Sequence, residues 1–309
     1  MIIDILLATY NGEKFIEEQL ASISRQTYFE KCRIIISDDG STDRTREIIQ
    51  KFADRFSNVI VMNDKSTNRG AKERFEYLLS KSTADYVMFC DQDDIWLPKK
   101  IEYSYKNILR SEKLHGLVPT MGFSDLIVGD EDGNQTNKSL WSYQGLRVDN
   151  IDSFEKALAE NKATGCTIIM NSLLRDLLLP FPDSVVMHDW WAYLICTAYG
   201  KPFVIPEIAI IYRQHGSNTV GARKKSKIDT INKMIRRDFS GVRQESNESL
   251  RQATAFIERF SNDLNSEKAQ KLIRIIENRR ITNIYRIPKN GYLKSGIIAN
   301  IKWVIYHAI

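Results

Sequence analysis

The 309 residues suffice for one large domain, or for one domain with a helical appendage. A hydrophobic share of 43% beside a charged share of 27% is that of a folded protein and excludes extensive disorder. The net charge of +5 hides a split: residues 222–309 carry 19 Lys and Arg against 8 Asp and Glu, net +11, leaving residues 1–221 at net −6. A basic end of this kind suits an anionic surface, nucleic acid or membrane.

Met1-Ile2-Ile3-Asp4 opens the chain with no basic region or long apolar stretch, so no signal peptide is expected. Ile2 to Ala8 reads as a first buried strand, and Thr9-Tyr10-Asn11-Gly12 as its turn. A helix is expected from about Glu13 to Ser24, with Phe15, Ile16, Leu20 and Ile23 on one face. Ile34-Ile35-Ile36 is the second strand, followed by the loop Asp38-Asp39-Gly40-Ser41-Thr42-Asp43. Asp43 is the expected N-cap of a helix to about Phe56. Val59 to Met62 is a third strand, Asn68-Arg69-Gly70 leads into a helix through Leu79, and Tyr86 to Cys90 is a fourth strand. Pro98 fits the first turn of the next helix, where its missing N–H costs nothing. Short apolar runs alternating with helical patterns predict βαβ units and a parallel sheet.

Beyond Met121 the expected elements are a strand from Phe123 to Val128, a polar loop from Gly129 to Gly145 and a strand from Ala163 to Met170. An aromatic-rich helix follows from His188 to Tyr199. From about Ser226 onward the pattern is helical and basic, with breaks near Asn262-Asp263 and Pro288-Lys289-Asn290-Gly291. No window approaches about 18 uncharged apolar residues, which excludes a helix spanning a bilayer. Cys32, Cys90, Cys166 and Cys196 form no metal-ligand spacing and suit small buried side chains in a reducing compartment.

The fourth strand ends in Asp91-Gln92-Asp93-Asp94. Adjacent anions raise one another's pKa unless a cation sits among them. Hard divalent ions take oxygen ligands and bridge carboxylates to phosphates, so this strand end is a candidate metal–diphosphate site. Thr9-Tyr10-Asn11, Asp38-Asp39-Gly40-Ser41 and Asn68-Arg69-Gly70 fall at other strand ends, where open α/β sheets bind ligands. Taken singly, Asp38 to Ser41 reads as only a turn and cap, and Asp94 could simply approach the helix start near Pro98.

The motifs ATYNG, SDDGSTD, NRG, DQDDIWLP and HDWW, spread over about residues 1–220, resemble the inverting nucleotide-sugar glycosyltransferases of family 2. The narrower phrases FCDQDDIW, TGCT, MHDWW and YRQHGSNTVG resemble bacterial rhamnosyltransferases of cell-wall and O-antigen polysaccharide synthesis. The resemblance implies an α/β GT-A fold, a Rossmann-like mixed sheet flanked by helices, with a C-terminal helical extension. Residues 1–221 would be the catalytic domain, with nucleotide sugar on about 1–115 and acceptor on about 116–221. Residues 222–309 would be a basic helical region.

The resemblance also implies roles. Thr9, Tyr10 and Asn11 would line the nucleotide pocket, and Asp39 would accept the N3–H of uracil or thymine. Arg69 would help place the nucleotide or diphosphate. Asp91 would lie near the ribose, Asp93 would ligate Mg²⁺ or Mn²⁺ bridging the diphosphate, and Asp94 would either support the metal ligand from behind or orient the sugar. Inverting transfer needs a base for the acceptor hydroxyl. Asp189 is the matching residue, and a helix start favours its ionised form. His215, before Gly216, is either a further metal contact or a loop histidine held by backbone. His188 is expected to hold the Asp189 turn. Trp190, Trp191 and Tyr193 serve either core packing or an acceptor platform, Trp96 stands near the donor sugar, and Thr164-Gly165-Cys166 could let a sugar approach the backbone.

The implied donor is dTDP-β-L-rhamnose or another pyrimidine nucleotide sugar, and the implied acceptor a lipid-linked saccharide. Location would be cytoplasmic, peripheral to the inner face of the membrane. Arg223-Lys224-Lys225-Ser226-Lys227 with Lys233, Arg236 and Arg237 begins the basic tail. Ile297, Ile298, Ile301, Trp303, Val304, Ile305 and Tyr306, with Lys294 and Lys302, fit a helix in a bilayer interface. The same apolar face could instead pack on the catalytic domain or form a homodimer. A UDP-hexose donor is the nearest alternative. A nucleotidyltransferase would show a Gly-rich phosphate loop, which ATYNGEKF is not. A nucleic-acid binder is disfavoured by the acidic first 221 residues and the lack of a recognisable motif.

Overall fold

The computed structural model describes residues 3–64, 68–216 and 239–308. The chain divides into two units. The first holds Met1–Leu140, Ala163–Pro180 and Met187–Ala222, and the second holds Trp141–Lys162, Phe181–Val186 and Arg223–Ile309.

The first unit is built on a seven-stranded sheet. Its strands are β1 (Ile3–Thr9), β2 (Cys32–Asp38), β3 (Val59–Val61), β4 (Tyr86–Cys90), β6 (Thr120–Ser124), β9 (Ile169–Asn171) and β10 (Lys201–Ile205). Their spatial order is β10-β6-β9-β4-β1-β2-β3. Strands β1, β2, β3 and β4 are mutually parallel, and β10 is parallel to β6. Strand β9 runs antiparallel to both neighbours, so the sheet is mixed. Ile5, Leu6, Leu7, Ile34, Ile36, Val87, Met88 and Phe89 are buried, as strands covered by helices on both faces require. The flanking helices are α1 (Ile16–Ser24), α2 (Thr45–Ala53), α3 (Ala71–Lys81), α4 (Lys100–His115), α7 (Ser172–Leu178) and α8 (His188–Tyr199). The α/β architecture, the fourth strand and the aromatic helix match their expected bounds.

Several local expectations are corrected. Of the strand expected from Ala163 to Met170 only the end is borne out: Gly165–Thr167 form a 3₁₀ turn, and Ile169–Asn171 join the sheet. Phe123 to Val128 is split into β6 and β7 (Ile127–Gly129) by Asp125-Leu126. The polar loop after Gly129 contains β8 (Gln135–Asn137) and a short helix, Leu140–Gln144. Pro98 lies in the turn ahead of α4 rather than inside it. Asp43 caps α2 from two residues ahead, accepting from the Thr45 N–H at 3.0 Å and from its hydroxyl at 2.5 Å.

A second sheet orders β5 (Ile95–Trp96), β11 (Ile210–Arg213), β7 and β8. Strand β11 pairs antiparallel with β5, Ile211 opposite Ile95 and Ile210 opposite Trp96. That register decides the geometry below, because residues after Ile211 are laid beside residues before Ile95.

In the second unit, α6 (Phe154–Ala159) packs on α9 (Ser240–Arg259) and α10 (Leu264–Glu277), with Phe154 edge-on to Phe256 at 4.7 Å. Asp263 caps α10 by accepting from the Asn265 N–H at 2.7 Å. Helices α11 (Asn283–Lys289) and α12 (Ile297–Ala308) complete the unit. The basic run Arg223 to Arg237 and the residues Ser217 to Gly221 lie outside the described residues. Among the described residues no helix is long and apolar enough to cross a membrane.

Candidate active site

Strands β1, β2 and β4 are parallel neighbours, so their C-terminal ends open on one side of the sheet. Thr9 ends β1 and donates its hydroxyl to Asp38 Oδ2 at 3.0 Å. Asp38 also receives the Ser41 N–H at 2.9 Å, the Ser41 hydroxyl at 2.5 Å and Arg46 Nε at 2.6 Å. Burial alone would raise its pKa, and these donors overcome that and hold it below the usual carboxylate range. Asn11, in the left-handed region at φ 44°, ties two loops. Its N–H goes to Ser41 Oγ at 2.8 Å and its Oδ1 accepts from Thr42 N at 2.9 Å. Tyr10 stands on the rim, 49% exposed, and exchanges both backbone hydrogen bonds with the Gln92 amide at 2.9 and 3.0 Å. A Cβ at Gly12 would fall 2.3 Å from Gln92 Oε1, so only glycine admits that bridge. Gln92 was not singled out from the sequence, since a lone Gln between aspartates carries no periodic signal.

Asp39 is buried. Its Oδ1 accepts from Arg69 N at 3.0 Å and Arg74 Nε at 2.7 Å, and its Oδ2 from Gly70 N at 2.7 Å. Arg74 is itself 1% exposed and also pairs with Asp64 Oδ2 at 2.6 Å. Burial opposes the ionised form, yet the donors at Arg69, Gly70 and Arg74 bring the Asp39 pKa below its ordinary value. The contribution of Arg69 within the chain is its backbone N–H, and its side chain is exposed. Arg74 was missed, because an arginine on an amphipathic helix reads as solvent-facing.

The third strand end holds the acidic group. The β5–β11 register lays Arg213 beside Asp93, whose carbonyl accepts from Arg213 Nε at 2.9 Å. Two residues on, His215 Nε2 lies 2.8 Å from Asp93 Oδ2, its ring stacked on Phe15 at 4.4 Å. Asp94 is fully buried, and among the described residues neither carboxylate oxygen has a hydrogen-bond partner. The Cys166 thiol and the Arg213 N–H approach it without reaching hydrogen-bond geometry. Burial first, then the charges of Asp91 and Asp93, push the Asp94 carboxyl well above its usual range. Burial with Asp93 and Asp189 raises Asp91 to about 7. Below them Lys100 is 3% exposed, its Nζ 4.9 Å from the centre of the buried Trp96 ring and 3.5 Å from Thr167 O. Burial pulls this ammonium down to about 8. It is a buried cation whose charge acts on Asp94, Cys90 and Cys166.

Asp189 sits in the first turn of α8, half-buried, with Oδ1 accepting from Trp190 N at 2.7 Å. His188 is buried between Phe75 at 3.9 Å and Phe89 at 4.6 Å, and among the described residues neither ring nitrogen has a hydrogen-bond partner. Burial lowers its pKa to about 3. A Cβ at Gly165 would meet His188 Nε2 at 2.9 Å and Asp189 Cβ at 3.6 Å. Gly165 thus leaves room for the ring that underlies Asp189. Trp191 is fully buried and donates its indole N–H to Leu178 O at 3.1 Å, which places it in the core rather than on a sugar-facing surface. Trp190, Tyr193 and Trp96 are buried as well.

The donor set fits a hard divalent cation. Ligand atoms of Asp91, Asp94 and Cys166 lie within 4.8 Å of one another, and the adjoining residue Asp93 pairs its carboxylate with the His215 imidazole. Oxygen and imidazole ligands are those that Mg²⁺ and Mn²⁺ prefer, and burial raises the Cys166 thiol well above its ordinary value. Asp94, buried with both oxygens unpartnered, is the kind of group that a bound cation compensates.

A family model described as glycosyl transferase family 2 matches residues 4–170. Among curated proteins, dTDP-rhamnosyl transferase RfbG of Shigella flexneri is 28% identical over 236 residues, covering 70% of this chain and 74% of its own length. Mycobacterial proteins that also match are covered over 58% of theirs. Among solved structures, S. aureus TarS 1-349 in complex with UDP-GlcNAc superposes with TM-score 0.58 at 16% identity, over 100% of this chain and 82% of that one. The mannosyltransferase PcManGT from Pyrobaculum calidifontis, in complex with GDP-Man and Mn²⁺, does so with TM-score 0.50 at 16% identity, over 94% and 72%.

Proposed function

The chain belongs to glycosyl transferase family 2, and from that membership we propose that it transfers L-rhamnose from dTDP-β-L-rhamnose, with inversion, to a hydroxyl of a lipid-linked saccharide. The observation that supports the reading is that Asp93 and Asp189, the latter at the start of α8, stand close enough to Asp91 to raise its pKa, while Asp39 follows the end of the parallel strand β2 on the same side of the sheet. The choice of rhamnose rests on the likeness to RfbG.

Asp39, oriented by Arg74, keeps one acceptor direction on Oδ2 for the imide N–H of thymine. Thr9, Tyr10, Asn11 and Arg69 frame the base and ribose. Asp93 and His215 would hold Mg²⁺ or Mn²⁺, with Asp91 and Asp94 beside it. Such an ion neutralises charge growing on the departing diphosphate. Asp189 takes the proton from the acceptor hydroxyl as that oxygen bonds the anomeric carbon. The bond from carbon to diphosphate oxygen breaks with its electron pair leaving on dTDP, which yields an α-L-rhamnoside. The N-terminal end of α8 favours the anion this step needs. The reaction belongs at the cytoplasmic face of a membrane in polysaccharide synthesis.

Asp189→Asn tests the assignment. Calorimetry is expected to give dTDP affinity within a factor of about two of the parent, while transfer falls by roughly 10²–10⁴-fold, the usual worth of a general base. Turnover near the parental rate in that variant would remove Asp189 as the base.

A further inference from the structure

From Asn278 to Ile309 the chain contains no Asp or Glu, whereas Arg279, Arg280, Arg286, Lys289, Lys294 and Lys302 all fall there. In this stretch α12 turns Trp303, Tyr306 and His307 inward, which corrects the expectation that Trp303 and Tyr306 share an outer apolar face. The outward stripe is Ile297, Ile301 and Ile305, spaced one turn apart and 69%, 45% and 36% exposed. The inner face is fixed: Lys294 lies over the Trp303 ring at 4.5 Å and Arg279 over the Tyr306 ring at 4.0 Å. Asn283 Nδ2 donates to His307 O at 2.8 Å. That bond brings the exposed Ile281, Ile284 and Tyr285 to the same end of α12 as Ile305. Single exposed aliphatics need no explanation, but two sets that adjoin make a patch. Lys294 belongs to the inner face, where it pairs with Glu245 at 2.8 Å, and the cations left to the surface are the exposed Arg279, Arg280, Arg286 and Lys289 with the half-buried Lys302.

We propose that this face of the second unit seats in the headgroup region of an anionic lipid bilayer, with α12 in the plane of the interface and Ile297, Ile301 and Ile305 against the acyl boundary. Charge decides the occupant. A second copy meeting this face about a two-fold axis would set the same cations against each other. Nucleic acid would match the cations and leave the aliphatic stripe in water. Anionic lipid satisfies both, and each cation near such a surface contributes about fivefold in binding constant. The proposal deepens the lipid-linked acceptor reading, since an acceptor on a lipid is met at that surface. Vesicle binding needs neither donor nor acceptor, so it stands or falls separately from catalysis.

The test is co-sedimentation of the intact chain with vesicles of phosphatidylcholine alone and of phosphatidylcholine mixed equally with phosphatidylglycerol. Binding is expected to the mixed vesicles only, and to weaken as salt rises. Ile301→Glu and Ile305→Glu, both at exposed positions, are each expected to lower it by roughly tenfold. Leu264→Glu, 80% exposed at the start of α10, is expected to leave it unchanged. Thermal melting confirms that the variants are folded. Equal binding to neutral vesicles, parental binding by Ile301→Glu, or a parental dimer that Ile301→Glu dissociates while neither sediments with lipid, would each overturn the proposal.

Discussion

Arg74 decides what Asp39 can offer. Removing an arginine from a buried pair strands the remaining charge at a cost of about 3–5 kcal/mol, so this guanidinium fixes both the charge and the direction of the carboxylate. With Oδ1 taken twice and Oδ2 once, the group has room for one more hydrogen bond, the one that the proposed thymine imide N–H would supply. His188 is the opposite case, a histidine kept neutral. Its pKa of about 3 lies below the ordinary 6.5 because burial penalises the imidazolium. Between those values the unfolded chain binds a proton that the native state refuses, so stability falls as pH falls, by about 1.4 kcal/mol per pH unit. Below about pH 3 both states are protonated and the loss levels off. His188→Leu is therefore expected to flatten the acid limb of the stability profile between pH 6.5 and 3, read by urea unfolding at stepped pH. An unchanged slope would show that the neutral ring does not set it.

The elements deliver these residues by register and by space. Strand β11 runs antiparallel to β5, so His215 reaches Asp93 although 122 residues separate them. The 3₁₀ turn at Gly165–Thr167 replaces the first part of the expected strand, and its glycine faces His188. Because that ring is clamped by Phe75 and Phe89, a methyl group at residue 165 cannot be absorbed by a rotamer change. Gly165→Ala is expected to cost about 1–3 kcal/mol of stability and to slow transfer by moving the Asp189 turn, with dTDP binding retained. Thermal melts, calorimetry and turnover on one preparation separate the three. Parental stability together with parental turnover would refute the contact.

At the scale of the molecule, what could be read beforehand follows from where the signal lies. Tyr86–Cys90 and His188–Tyr199 are long enough for apolar run length and helical period to fix their bounds. Asp91 to Asp94 stood out because clustered anions at a strand end demand compensation. Strand β5 spans two residues and β11 four, too few for any period, so the sheet that pairs Asp93 with His215 was invisible. Arg74 and Gln92 act through burial and shape, which composition does not encode. The antiparallel insertion of β9 depends on long-range pairing that no local pattern announces.

The central claim is sugar transfer from a thymidine nucleotide sugar, and a donor screen tests it most directly. Purified protein is offered dTDP- and UDP-sugars with a short lipid-linked saccharide, in Mg²⁺ or Mn²⁺ and again in EDTA, and the product linkage is read by NMR. The predicted result is an α-L-rhamnoside formed from dTDP-β-L-rhamnose in the presence of metal and lost in EDTA. Transfer from a UDP-hexose alone, retention of the donor's anomeric configuration, or equal turnover in EDTA would contradict it.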